Sequence, residues 1–162
     1  MKRKILFIAV LVCIISLCSC NSINKSEKTY DKPPVLTVEC GDNQVTALLG
    51  THTWNWTDSD GRGQGIASDH PHPLNIKEHV PVLNVINKDA VLYFGDAPDT
   101  VSVVCWSDEY WNDTSADGEE IAMVGNSFKL KHGGYIYQVR AKWNDKTSHN
   151  GEVTYSFYAK LK

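Results

Sequence analysis

The chain has 162 residues, 16 Lys and Arg against 19 Asp and Glu, and a formal net charge of −3. That length suits one folded unit with one core, and the mild acidity gives no electrostatic basis for binding nucleic acid. Three of the bases lie among the first four residues. The chain from residue 20 onward therefore carries thirteen bases against nineteen acids, a net of −6.

Lys2, Arg3 and Lys4 precede an apolar run from Ile5 to Leu17, which ends in Leu17-Cys18-Ser19-Cys20. Thirteen apolar residues fall short of the roughly twenty needed to span a bilayer, and the charged start with a small-residue exit is the pattern of a secretory leader. Ser19 before Cys20, with Leu17 three places before it, makes Cys20 the expected lipid acceptor. Residues 1–19 then form a lipoprotein signal peptide, and the mature protein is expected on the extracytoplasmic face of the cell membrane. Residues 20–34, CNSINKSEKTYDKPP, are polar and aperiodic and end in a proline pair, so they read as the lipidated cysteine and a flexible tether.

From Val35 to Lys162 the chain alternates short β-type runs with turn residues. VLTVEC (35–40), QVTALL (44–49), HTWNW (52–56), GQGIA (63–67), VLNVI (82–86) and AVLYF (90–94) come first. TVSVVCW (100–106), EEIAMV (119–124), SFKLK (127–131), YIYQVRAKW (135–143) and EVTYSFYAKL (152–161) follow. The spacing predicts an all-β domain, an antiparallel β-sandwich of about nine strands with immunoglobulin-like character. Between Pro73 and Pro81, the run LNIKEHV has room for a helical turn or two. In the penultimate run, alternation places Tyr135, Tyr137, Val139, Ala141 and Trp143 on the core face and Ile136, Gln138, Arg140 and Lys142 on the other.

TDSDGRGQG (57–65) has the acid spacing of a calcium loop, with Asp58, Asp60 and Gly63 at positions 1, 3 and 6. Arg62 falls where a ligand belongs and Asp69 where a bidentate Glu belongs. Asp60-Gly61 between two alternating segments predicts a hairpin turn instead. His70 and His72, each followed by proline, raise a metal reading with Asp69, His52 or His79. Their spacing is that of no specific zinc site, and a rigid surface crossing explains it as well. No metal and no cofactor is expected.

Cys40 and Cys105 both fall in predicted strands outside the reducing cytosol, so a disulfide and a pair of buried free thiols are both compatible with the sequence. Motifs for serine, metal or phosphate chemistry are missing, and Glu119 and Glu120, adjacent on a strand, point to opposite faces. The domain reads as non-enzymatic. Its one suggestive stretch is WSDEYWNDTSADGEE, where Tyr110 and Trp111 stand among Asp108 and Asp113 as candidate ligand-binding residues for a sugar ring or a cationic partner. The competing reading makes Trp111 a lid on the core.

PPVLTVECGD, TALLGTHTWNW, HPHPLNI, PDTVSVVCWSDEYW and GGYIYQVRAKW with YSFYAKL resemble a domain of small lipoproteins from Gram-positive, clostridia-type bacteria. The same domain is similar to the outer part of membrane-bound sensor peptidases of the β-lactam antirepressor type. The resemblance implies an extracytoplasmic sandwich, and it carries no activity, because the His-Glu-x-x-His peptidase motif is absent. In immunoglobulin-like domains a tyrosine near the start of the penultimate strand bonds back to the preceding corner, and the approach Leu130, Gly134, Tyr135 resembles that feature. The expectation is a membrane-anchored binding or sensing module. Its partners are the membrane through the lipid and an envelope protein, with a cell-envelope glycan as the alternative ligand.

Overall fold

The structure, a computed structural model, describes residues 30–144 and 148–162. The expected signal peptide, the expected lipid acceptor Cys20 and residues 21–29 of the expected tether lie outside the described residues. Twelve strands follow in order: β1 Leu36–Cys40, β2 Asn43–Thr46, β3 Leu48–Thr57, β4 Gly63–Ser68, β5 Val82–Val85, β6 Asp89–Phe94, β7 Thr100–Ser107, β8 Glu119–Ile121, β9 Met123–Val124, β10 Ser127–Lys129, β11 Gly133–Trp143 and β12 His149–Leu161. Two 3₁₀ turns, Pro73–Asn75 and Asp108–Tyr110, are added. Among the described residues no helix is long and apolar enough to cross a membrane.

The strands form a sandwich of two sheets, ordered β2-β1-β6-β10-β9 and β4-β3-β12-β11-β7-β8, with β5 joined to the end of β12. The pairings are antiparallel except β5 with β12, which is parallel from Tyr158↔Val82 to Leu161↔Val85. That one pair departs from the fully antiparallel expectation. It arises because residues 69–81 cross the outer face of the large sheet before the chain re-enters it.

Alternation builds the core. Leu36, Val38 and Cys40 of β1 face Tyr137, Val139 and Ala141 of β11 across the sandwich, all at most 1% exposed, and Trp54, Trp143 and Phe157 fill the space between. Each fully buried side chain of this size contributes about 1.5–3 kcal/mol of apolar burial. Twelve strands form where the eleven runs gave an expectation of about nine, and the run EEIAMV alone supplies two: β8 pairs with β7 in the large sheet and β9 with β10 in the small one, so Ala122 marks where the chain changes sheets.

Three expectations change. Ile136, assigned to the solvent face, is fully buried, because the large sheet has a second small core on its outer side made of Leu74, Trp106 and Ile136 with Trp111 and Tyr158 against it. The tyrosine that bonds back to the corner is Tyr137 and not Tyr135: its buried hydroxyl accepts from the Lys131 amide at 2.8 Å. The tether ends earlier than residue 34, since Trp54 Nε1 donates to the Tyr30 carbonyl at 2.7 Å and the Tyr155 hydroxyl donates to the Pro34 carbonyl at 2.5 Å.

Of the two arrangements open to the thiols, the structure has the buried free pair and no disulfide: Cys40 and Cys105 are free and buried, and the Cys40 thiol donates to the Asn87 carbonyl at 3.0 Å. Burial raises the Cys40 pKa, with the Asp89 charge adding to it, and pushes Cys105 up to about 11. Both are protonated at neutral pH and poor nucleophiles there.

Candidate binding cleft

The aromatic loop proposed from sequence is divided by the structure. Trp111 lies partly buried on the small outer core, its ring 5.8 Å from Tyr158 at 65°, with the Lys77 ammonium 5.7 Å from the ring centroid. Asp108 accepts a 2.7 Å hydrogen bond from the Tyr158 hydroxyl, and burial together with this carboxylate pushes the Tyr158 pKa up to about 12. Asp113 accepts from the Ser115 amide and hydroxyl, which holds its carboxyl below the usual range. Only Tyr110, 44% exposed, presents a free ring surface. Trp111 and Asp108 thus face inward on Tyr158 while Tyr110 and Asp113 face solvent, and the four make no shared surface.

The calcium-like stretch is the β3–β4 hairpin. Asp58 Oδ1 accepts from the amides of Asp60 and Arg62, its other oxygen accepts from Gln64, and Gly61 adopts φ +77°, the left-handed value that glycine supplies there. The carboxylate that a cation would need is therefore occupied by the turn, and its pKa is lowered by those bonds.

A cleft of about 490 Å³ opens on the outer face of the large sheet, within the size range of small-ligand sites. Its floor is made by Gln138 and Arg140 of β11 and by Glu152, Thr154 and Ser156 of β12, and Thr51 and Thr53 of β3 complete it. These side chains share a face because Arg140 pairs with Thr154 and Gln138 with Ser156 across the sheet. The wall is the crossing segment, with His70, Pro71, His72 and Ile76, and Leu48 and Leu49 add apolar surface. A second hollow of about 180 Å³ continues toward β7 and β8 past Ser102 and Glu120, and it shares Gln138 and Arg140 with the first.

The wall is fixed by the sequence of the crossing. Thr51 Oγ1 accepts from the His70 amide at 3.0 Å and donates to its carbonyl at 3.5 Å, which pins the segment to β3. His72 Nδ1 then accepts from the Leu74 amide at 3.3 Å, capping the Pro73–Asn75 turn, and its ring meets the Trp106 edge at 4.9 Å. Burial lowers the His72 pKa, in keeping with a ring nitrogen that must stay unprotonated to accept. Leu74 is fully buried in the outer core. Gly50 is required at the floor, since a Cβ there would stand 2.6 Å from Thr154 Oγ1, whose hydroxyl donates to the Thr51 carbonyl.

Arg140 Nε lies 3.3 Å from Glu152 Oε1, with both side chains about half exposed, so the only full charges on the floor form a pair. His52 Nδ1 donates to the Gly50 carbonyl at 2.9 Å, and its ring lies 6.1 Å from that of His70. Among the described residues no group of three or more His, Cys, Asp or Glu is placed to hold a metal ion. The DHPHP segment is a wall that crosses the sheet.

One cluster was not legible in advance. Ser148 Oγ, the His149 ring and Asp96 Oδ2 stand in line, with 2.9 Å between Ser148 Oγ and His149 Nδ1 and 2.9 Å between Nε2 and Asp96. The order is that of a hydrolytic triad. The imidazole, however, is 3% exposed and held between the Tyr30 ring at 4.0 Å and the Trp54 ring at 5.1 Å, and Ser148 sits on Nδ1 with the carboxylate on Nε2, the reverse of the nitrogen roles in a hydrolytic triad, although Ser148 and His149 border a hollow of about 410 Å³ with Asn55, Gln64 and Asn150. Its effect is to fasten the end of the tether to the sandwich.

Alternation along β11 sets Gln138 and Arg140 on the outer face of the sheet, which by local pattern alone is a solvated face. The missing signal was long-range: only the crossing by residues 69–81 turns an exposed sheet surface into a cleft. No protein-family model, no curated protein and no solved structure matches the chain.

Proposed function

We propose that the chain is a lipid-anchored, extracytoplasmic binding module without enzymatic activity. In this reading Cys20 carries the lipid, the residues after it hold the domain off the membrane, and the outer-face cleft receives a component of the cell envelope. The observation that supports it is the cleft itself: a rigidly walled hollow, floored by interior strands, lined by hydrogen-bonding groups that are not arranged as nucleophile, base and oxyanion donor. Two acyl chains give stable anchoring where one gives only marginal binding.

The test uses the full-length protein from a Gram-positive host. Intact mass of the membrane fraction is expected to show a diacylated Cys20, with Cys20→Ala released or unprocessed. The detergent-solubilised protein is expected to co-sediment with isolated cell walls, and the double variant Gln138→Ala, Arg140→Ala to remain in the supernatant with an unchanged melting curve. Equal sedimentation of wild type and variant would refute the cleft as the binding surface.

A further inference from the structure

We infer that the cleft takes a linear, uncharged oligosaccharide, an inference that rests on the cleft being the binding surface proposed above. Because Arg140 and Glu152 already neutralise each other at 3.3 Å, a charged ligand in the main cleft would gain one partner and meet repulsion from the other, and the Glu120 carboxylate in the adjoining hollow disfavours an anion there. A hydroxyl is both donor and acceptor, so it can give its proton to Glu152 while accepting from Arg140, and the Gln138 amide offers the same dual character. Vicinal hydroxyls match such planar two-atom groups.

The apolar surface supplies the second requirement. Leu48, Leu49, Pro71 and Ile76 stand beside the polar floor, and a pyranose presents a C–H face alongside its hydroxyls. None of the lining residues of this cleft is Trp, Tyr or Phe, so the sugar rests on aliphatic carbons and binding is expected to be weak, near about 1 mM for a short oligomer. Shape supplies the third requirement. Gln138 and Arg140 line both the 490 Å³ cleft and the 180 Å³ hollow, so the two lie side by side on one sheet face across β3, β12, β11 and β7. Adjoining hollows with dual-character groups between them fit a repeating chain of rings.

Saturation-transfer NMR on the full-length protein in detergent tests this with N-acetylglucosamine, its linear trimer, and trialanine as a zwitterionic control. The trimer is expected to bind at least about fivefold more tightly than the monomer, and Arg140→Ala and Gln138→Ala are each expected to weaken the trimer about tenfold. Trialanine binding without trimer binding would overturn the saccharide class. Silence from all three probes while the double variant still loses cell-wall sedimentation would overturn the saccharide class and leave the binding-module reading standing. Trimer binding unaffected by either variant would overturn the placement in this cleft.

Discussion

Trp111→Ala separates a lid from a ligand platform, and the structure fixes the size of the effect. A buried tryptophan covers roughly 200 Å². Trp111 is partly buried against Tyr158 and the outer core, so about half that area is lost from burial, or roughly 2.5 kcal/mol at 25 cal/mol per Å². The edge contact with Tyr158 and the Lys77 ammonium over the ring add about 1 kcal/mol together. Because one side of the site is open, neighbours can settle into the gap, and the expected loss is about 3 kcal/mol. Urea unfolding followed by tryptophan fluorescence reads this as a fall in midpoint of about 1.5 M for a slope near 2 kcal/mol/M. A loss within about 0.5 kcal/mol would refute the packing argument, since that is the range of a surface substitution.

Two further outcomes are expected. Tyr137→Phe removes the hydroxyl that satisfies the Lys131 amide and is expected to cost about 1–3 kcal/mol in the same urea assay, with little change in the sheet signal by circular dichroism; a neutral result would show that water replaces the hydroxyl. Cys105 has a folded pKa near 11, raised from 9.0, so its protonated form is favoured by folding: the stabilisation is complete below about pH 9 and is lost as pH rises through 11. Unfolding midpoints from pH 8 to 11 are expected to fall more steeply in wild type than in Cys105→Ala, and parallel curves would contradict the assignment.

Period-two patterns made the sheets legible. The alternation of β1 and β11 appears directly in which residues are buried, and Asp60-Gly61 announced its hairpin because the turn is chosen by residues within a few positions of it. What escaped was set by contacts distant in sequence. Ile136 is buried by Leu74, sixty-two positions earlier, and no local period carries that information. The Trp111 loop is polar in composition because its acids are numerous, yet one of them, Asp108, faces the Tyr158 hydroxyl. The tyrosine corner was displaced by two residues, a shift that keeps the same strand face and so leaves the alternation unchanged.

Docking of the tether's end on the sandwich gives the domain a direction. Tyr30 stacks on His149 at the start of β12, the cleft is floored by Glu152, Thr154 and Ser156, and the Trp111 lid meets Tyr158 farther along the same strand. At about 3.3 Å per residue, the middle of the cleft stands roughly 17 Å beyond the Tyr30 clamp and the lid roughly 30 Å beyond it. Under the proposed Cys20 anchor, the nine residues from 21 to 29 reach at most about 30 Å instead of the span expected of the whole tether. With the proposed anchor, the clamp at Tyr30 leaves a shorter free linker than residues 20–34 would give, and the start of β12 is the end of the sheet tied to it. The proposed cleft lies farther along β12, so a chain bound there would stand clear of the point where the linker meets the domain.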